Sequence, residues 1–220
     1  MFCFYYFGGA FGLSFLLGTF FTIFFVSLIR KKLRPDLKKE KSRNALQILI
    51  NGGLGTVFII LYGVCRNDGF LLVSVVAVGG CFVDSLSSDV GVLSRKRPYD
   101  FLKRSFVDGG LSGGMSVLGT AAALVGSAVI GLCTAARLSL GVSGVLAVAG
   151  LIFLQTLVDS ALGSAVQVKY RCTVCGRICE KKRHCDTDTE YHSGWRVIDN
   201  NGVNALSSVI ITALAYLVFG

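Results

Sequence analysis

Two Val-Asp-Ser triplets, Val83-Asp84-Ser85 and Val158-Asp159-Ser160, place carboxylates inside long apolar segments of this chain. A charged side chain at membrane depth costs at least about 2.5 kcal/mol, and such residues usually have a function. Asp89 follows Asp84 by five residues. Carboxylates with nearby Asn, Ser and Gln oxygens suit a hard cation such as Mg²⁺, which keeps open positions for phosphate. We therefore expect Asp84, Asp89 and Asp159 to be catalytic and to hold Mg²⁺ for phosphate chemistry.

Two alternatives stay open for these acids. They could pair with Lys41 or Arg43 at the membrane interface, or they could line a proton or ion pathway. Other polar residues lie near the same ends of the apolar segments, and we expect them to bind substrate or nucleotide: Arg43, Asn51, Ser116, Gln167, Asn201 and Asn204. Polar groups confined to one leaflet favour a single site over a pore, which would carry them across its full depth.

A Gly-rich loop, Gly109-Gly110-Leu111-Ser112-Gly113-Gly114-Met115-Ser116, precedes the second triplet. Glycines let phosphate oxygens approach backbone N–H groups, and a helix start favours an anion. We therefore expect Gly113 and Gly114 to bind phosphate, with close helix packing as the alternative. Asn51-Gly52-Gly53 precedes the first triplet in the same way. This spacing predicts two related, parallel helix pairs.

A cysteine-rich segment carries the best-defined local motif. Cys172 and Cys175 have the spacing of a zinc knuckle, and His184-Cys185 follows nine residues later. We expect a structural Zn²⁺ site with these three cysteines as ligands and His184 or His192 as the fourth. A redox Cys-x-x-Cys pair is the alternative.

Positioning these residues requires a membrane fold. Hydrophobic residues make up 53% of the chain and charged residues 16%, whereas soluble domains are about a quarter charged. Several apolar runs reach the roughly 20 residues that span a bilayer. We expect an all-α, polytopic membrane domain over residues 1–220, with a loop over 169–197 between the last two spans. The six predicted spans are 2–29, 44–65, 69–94, 110–136, 140–168 and 202–219.

Charge placement supports this topology. Of the 22 Lys and Arg residues, eight lie in 30–43, five in 95–104 and seven in 169–196, so 20 fall on one side of six spans. The positive-inside rule makes that side cytoplasmic, and the predicted site faces it. The net charge of +9 then needs no nucleic-acid partner. The first span resembles an anchor more than a cleaved signal. The chain starts directly at that span, which leaves room for a further helix upstream.

Five motifs in order, in 43–53, 84–94, 113–120, 157–167 and 200–204, resemble those of an integral membrane family of the domain-of-unknown-function 92 type. That family contains transmembrane protein 19 and the plant phytyl-phosphate kinase. The five segments are similar, in this order, to the family patterns Arg…Asn-Gly-Gly, Asp-Thr-Trp-Ala-Ser-Glu-Ile-Gly-x-Leu-Ser, Gly-Gly-Val-Ser-x-x-Gly-Thr, Leu-Leu-Asp-Ser-x-Leu-Gly and Asn-Asp-x-Val-Asn. The chain departs from the family in having Leu86 for Trp, Asp89 for Glu, Ser112 for Asn and Asn201 for Asp.

The resemblance implies an enzyme: a kinase that moves a phosphoryl group from CTP or another NTP to an isoprenoid (phytyl or prenyl) monophosphate. Its cofactors would be Mg²⁺ and a structural Zn²⁺, and its partners a membrane lipid or isoprenoid phosphate and a nucleotide. Self-association stays open. Two rival hypotheses are a small-solute or ion transporter that uses the intramembrane aspartates and a non-enzymatic scaffold whose zinc loop binds a partner.

Overall fold

The described residues of the computed structural model, 1–34 and 45–220, form six helices; for 45–51 only the helical backbone is described. The helices are α1 Phe2–Leu33, α2 Ala45–Cys65, α3 Asp68–Gly91, α4 Val117–Leu138, α5 Val142–Ala165 and α6 Asn200–Phe219. Five of them are long and apolar enough to cross a membrane, and α2 contributes a shorter apolar stretch, Gly52–Cys65. The predicted polytopic helical class is confirmed.

Helix α3 is the centre of the bundle, because α1, α2, α4, α5 and α6 all pack against it. In its most apolar 18-residue window 72% of the residues are buried, whereas the figure for α1 is 11%. The core is formed by small and branched side chains of α3, including Val73, Val76 and Val83, together with Ile152 of α5 and Ile211 of α6. Small residues allow this close approach of helix backbones.

The chain reverses direction at every helix, so the ends of α1, α3 and α5 and the starts of α2, α4 and α6 share one end of the bundle. We call it the loop end. Short strands lie in the connection between α3 and α4 and in the connection between α5 and α6, which the sequence did not predict. Between α3 and α4, β1 Tyr99–Asp100 pairs with β2 Ser105–Phe106.

Between α5 and α6 lies a four-stranded antiparallel sheet in the order β4-β3-β6-β5. Its strands are β3 Lys169–Cys172, β4 Ile178–Cys179, β5 Arg183–His184 and β6 Thr187–Ser193. We call residues 169–197, which contain this sheet, the Cys/His loop.

The fourth predicted span began too early. Helix α4 starts at Val117 and not at 110, because the backbone at Gly110 and Gly113 has φ of +93° and +95°, a region incompatible with a right-handed helix. The hydroxyl of Ser116 accepts from the Gly119 N–H at 3.1 Å and so caps the helix. The Gly-rich loop is therefore a turn ahead of α4 and not its first turn.

Candidate functional site

Asp84 of α3 and Asp159 of α5 are half-buried, and both lie near the Cys81 thiol in one polar layer between α3, α5 and α6. The Ser207 hydroxyl of α6 donates to Oδ2 of Asp159 at 2.9 Å. Both carboxylates act electrostatically on the Cys81 thiol, which lies one turn from Asp84 on α3. The Cys81 sulfur accepts from the Gln155 amide at 3.2 Å. The two acids of the repeated triplets thus come from different helices to the same layer.

Asp89 lies elsewhere. Five residues along a helix correspond to about 140° of rotation, so Asp89 points away from the face that carries Asp84. Its Oδ1 lies 3.3 Å from Nε of Arg30 at the end of α1, and both side chains are at most 3% exposed. The Arg30 Nε–H makes no hydrogen bond, so the contact is an ion pair. Arg43 and Lys41, the partners considered from sequence, lie outside the described residues.

Two predicted binding residues carry buried oxygens that accept no hydrogen bond. They are Gln167 Oε1, just beyond α5, and Asn201 Oδ1, in the first turn of α6. Buried polar atoms are almost always satisfied, so two exceptions near one end of the bundle are consistent with a cation or ligand donor there. Only the backbone carbonyl oxygen of Asn204 lies near this layer, 3.1 Å from the Ser207 hydroxyl oxygen, as a shared acceptor beside Asp159. For Asn51 only the backbone position in α2 is described.

The Gly-rich loop packs directly on the end of α5. A Cβ at Gly113 would lie 2.7 Å from Cα of Ser164, and one at Gly163 would lie 2.9 Å from Cβ of Ser112. A Cβ at Gly114 would lie 2.5 Å from Val107. These glycines therefore serve close packing, as one of the two interpretations of the sequence expected. Ser116 caps α4 and donates to the Gly91 carbonyl at 3.1 Å, so it joins α3 to α4.

Three charged residues that the sequence analysis missed surround this loop. Glu180 Oε1 accepts from the Ser112 N–H at 2.6 Å, and the Lys169 ammonium donates to the Ser112 carbonyl at 3.0 Å. The Ser164 hydroxyl donates to Oδ2 of Asp100 at 2.6 Å. No local spacing links these residues, since they come from two separate loops. Only Asp100 carries a weak sequence signal, because Asp is common in turns. Its Oδ1 accepts hydrogen bonds from two backbone N–H groups of its own turn.

The environment shifts the pKa of two of these groups. Burial works to raise the pKa of Asp100, but hydrogen bonds from Ser164 and from the N–H groups of Lys103 and Leu102 outweigh it, so the pKa is lowered. For Lys169, burial and the charge of Lys103 lower the pKa, against the opposing charges of Glu180 and Asp100. Glu180 also acts electrostatically on Asp159. The Cys/His loop thus brings a carboxylate close to the polar layer.

The Cys/His loop brings its predicted ligands together. The ligand atoms of Cys172, Cys175, His184 and Cys185 all lie within 4.8 Å of one another, and His184 Nδ1 is 3.2 Å from the Cys185 sulfur. His184, and not His192, is the histidine of this group. Within residues 1–34 and 45–220 no other set of His, Cys, Asp or Glu side chains is similarly close.

The chemistry of this group suits a metal ion. The pKa of Cys172 is lowered to about 6, mainly because the Cys175 N–H donates to its sulfur, so this thiol ionises near neutral pH. The pKa of Cys185 is raised to about 11, mainly because its thiol hydrogen-bonds to Cys175, and a metal would displace that proton. Three thiols and one imidazole are a frequent donor set for structural zinc.

Comparisons with known proteins agree with a membrane protein of this kind. A family model described as "Integral membrane protein DUF92" matches residues 1–212. The chain is 29% identical over 213 residues to "Protein PGR" of Arabidopsis thaliana, a match that covers 84% of this chain and 72% of the plant protein. No solved structure matches the chain.

Proposed function

This chain belongs to the integral membrane protein DUF92 family, and on that premise we propose that it is a membrane kinase. It would transfer a phosphoryl group from CTP or another NTP to an isoprenoid monophosphate. The observation that supports the proposal is a polar layer in which Asp84 of α3 and Asp159 of α5 both lie near Cys81, with Asp159 held by the Ser207 hydroxyl of α6. At the same end of the bundle, a loop N–H already holds an oxyanion, the Glu180 carboxylate.

In this proposal Asp84 and Asp159 hold Mg²⁺. The buried oxygens of Gln167 and Asn201, which accept no hydrogen bond, lie nearer the loop end and are assigned to substrate or nucleotide binding. Oxygen donors of this kind, with few carboxylates and with phosphates as co-ligands, suit Mg²⁺. When bound, the ion neutralises charge on the nucleotide phosphates. Ser207 fixes the orientation of the Asp159 carboxylate through its hydrogen bond.

Asp89 has a different role in the proposal. Its ion pair with Arg30 fixes the end of α1 to α3, so it supports the site without contacting phosphate. We assign Arg43 to the charge that develops on the transferred group, as its place just before α2 suggests. We assign Zn²⁺ to the Cys/His loop as a structural ion.

The reaction needs little from the protein beyond positioning. An oxygen of the isoprenoid phosphate forms a bond to the γ-phosphorus, and the bond from that phosphorus to the bridging oxygen breaks. The bridging electron pair leaves with the nucleoside diphosphate. Because the acceptor is already an anion at neutral pH, no strong general base is required. Catalysis would then consist mainly of positioning the two phosphates and stabilising the developing charge electrostatically.

An apolar groove offers a place for the isoprenoid chain. It has a volume of about 310 Å³ and lies between α1, α3 and α4. Its lining is formed by side chains of the three helices, namely Thr22, Phe82, Leu86, Ala122, Val125, Gly126, Val129 and Ile130. Leu86 lies two residues from Asp84 along α3, which is about 200° of helix rotation, so the groove is at the depth of the acids but on the other side of α3. A tail in this groove would run alongside α3, with its phosphate at the loop end.

Orientation follows from the same proposal. The basic clusters of 95–104 and 169–196 lie in connections at the loop end, and the last turn of α1 brings Arg30, Lys31 and Lys32 to the same end. Cationic residues favour the cytoplasmic side. The nucleotide would therefore enter from the cytoplasm, where CTP and ATP are made.

The test is phosphoryl transfer from radiolabelled CTP or ATP to phytyl or geranylgeranyl phosphate by purified protein in detergent. We expect Asp159→Ala to lose turnover while the protein still inserts and purifies. The matched control is Asp188→Ala, which removes an exposed carboxylate of the Cys/His loop and keeps turnover. Normal turnover in well-expressed Asp159→Ala would remove the hypothesis.

One observation favours a second candidate, a transporter. Buried polar side chains continue deeper into the bundle, and the oxygens of Gln155, Thr156 and Thr212 accept no hydrogen bond. A polar path through the core is typical of transporters. Flux into proteoliposomes in the absence of nucleotide turnover would favour this alternative.

A further inference from the structure

The Cys/His loop contacts both backbone groups of a single residue of the Gly-rich loop. Glu180 accepts from the N–H of Ser112, and Lys169 donates to its carbonyl oxygen, at 2.6 and 3.0 Å. Both contacts are partly buried, and Lys169 is 5% exposed. Hydrogen bonds to charged groups are worth more than neutral ones, most of all away from bulk water. Two such bonds to one residue form a specific connection between two loops.

The Cys/His cluster lies at one end of the hairpin that carries these two charged residues. Strands β3 and β4 form an antiparallel hairpin in which Tyr170 is opposite Cys179. Extending that register by one residue puts Lys169 opposite Glu180. Cys172, the last residue of β3, and Cys175, in the turn of the hairpin, are two of the four clustered ligands. A metal ion bound there would fix the register that sets the spacing of Lys169 and Glu180.

The contacted residue lies directly over the helix that carries Asp159. Ser112 packs on Gly163 and Gly113 packs on Ser164, and Gly163 is one helical turn beyond Asp159. Movement of Ser112 would therefore separate the Gly-rich loop from α5 next to the polar layer.

We propose that the Cys/His loop is a metal-dependent clamp on the Gly-rich loop, with Glu180 as the positioning residue. Metal binding orders the β3–β4 hairpin, Glu180 and Lys169 then hold Ser112, and Ser112 keeps residues 109–116 against α5. The clamp does not depend on which reaction the site performs. In this proposal the bound metal stabilises the Cys/His loop itself and also holds the Gly-rich loop in position beside the polar layer.

The experiment is hydrogen–deuterium exchange, followed by mass spectrometry, on the full chain in detergent without nucleotide. Amide protons of 109–116 are compared in zinc-loaded protein, in protein stripped with a chelator, and after zinc is returned. Stripping should raise their exchange by about tenfold, the loss expected for one strong hydrogen bond. Returning zinc should restore protection.

Three variants separate the clamp from general stability. Glu180→Ala should raise exchange in 109–116 by about the same factor at full zinc content, and zinc removal should then add little. Glu180→Gln keeps an acceptor oxygen and should recover much of the protection. Glu190→Ala, which removes an exposed carboxylate of β6 in the same loop, should exchange like the wild type.

Several outcomes would overturn the proposal. Exchange in 109–116 that is unchanged in zinc-loaded Glu180→Ala would show that Glu180 does not hold the loop. Zinc stripping that deprotects 169–197 but leaves 109–116 protected would show that the metal acts only within the Cys/His loop. Because wild-type stripping needs no substitution, the second result is obtained even where a variant does not fold. Since no nucleotide is present, failure here is distinct from failure of the kinase proposal.

Discussion

We predict that Gly113→Ala destabilises this protein far more than the same change at two neighbouring glycines. Gly113 has φ of +95°, and a Cβ there would lie 2.7 Å from Cα of Ser164. Gly110 has φ of +93°, but a Cβ would meet nothing within 4 Å. Gly109 has neither feature. Substituting these three glycines therefore distinguishes the energetic cost of an unfavourable backbone conformation from the cost of a steric clash within a single loop.

The expected losses of stability follow from these two effects. An alanine in the left-handed region costs about 1–2 kcal/mol, which is the expected loss for Gly110→Ala. Forcing an extra carbon against a packed backbone adds about 1–3 kcal/mol, so Gly113→Ala should lose about 3 kcal/mol in total. At about 2–4 °C per kcal/mol for a chain of this size, its melting temperature should fall by about 6–12 °C. Gly109→Ala should leave it unchanged or slightly higher.

The assay is thermal unfolding of each variant in the same detergent, followed by intrinsic fluorescence or a thiol-reactive dye. Equal losses for Gly110→Ala and Gly113→Ala would refute the collision with Ser164 as the main cause of the destabilisation. A wild-type melting temperature for Gly113→Ala would refute the described packing of the Gly-rich loop on α5.

Three further predictions concern the Cys/His cluster, the acid side of the stability curve and the apolar groove. Cys175→Ser should lose bound zinc by metal analysis, while Cys179→Ser, outside the cluster, should retain it; equal zinc content in both would contradict the ligand set. Hydrogen bonds lower the pKa of Asp100 below its usual 3.8, so its stabilisation is present above about pH 4 and is lost as pH falls through the folded-state pKa. Asp100→Asn should therefore flatten the decline of melting temperature below about pH 4, and an unchanged acid profile would contradict this. Val125→Trp should fill the groove and raise the KM for a long-chain isoprenoid phosphate several-fold. Leu132→Trp, on the same helix but outside the groove, should leave the KM unchanged. Equal KM values for the two variants would argue against the groove as the site of the isoprenoid chain.

The helices and the metal cluster could be predicted because their signals are local. Long apolar runs specify spans wherever they occur, and the spacing of Cys172, Cys175 and His184-Cys185 brings the ligands together within one short loop. Strands β1 and β2 have two residues each, too few for an alternating pattern to be visible. The sequence therefore predicted the elements better than the loops that join them.

Contacts between distant segments could not be predicted. Arg30 was counted among loop cations, because the first span was expected to end at 29. Helix α1 continues to Leu33, which carries Arg30 to Asp89 in the buried part of the bundle. Likewise, Glu180 is 68 residues from Ser112, and no periodicity links them. The positions of the three acids depend on how each helix is rotated and packed against its neighbours, and local sequence patterns do not specify this.

The central position of α3 has a consequence for biogenesis. This helix is the most enclosed of the candidate spans, yet its mean hydropathy of 2.0 is close to the 2.1 of lipid-facing α1. It is made before α4, α5 and α6, so it must enter the bilayer while three of its five neighbours do not yet exist. Because α3 is apolar, it is stable in contact with lipid before α4, α5 and α6 are inserted. Arg30 is synthesised before α3, so the ion-pair partner of Asp89 is present when α3 is inserted. The most buried helix of the bundle therefore also has a sequence that is stable as a single, lipid-exposed membrane span.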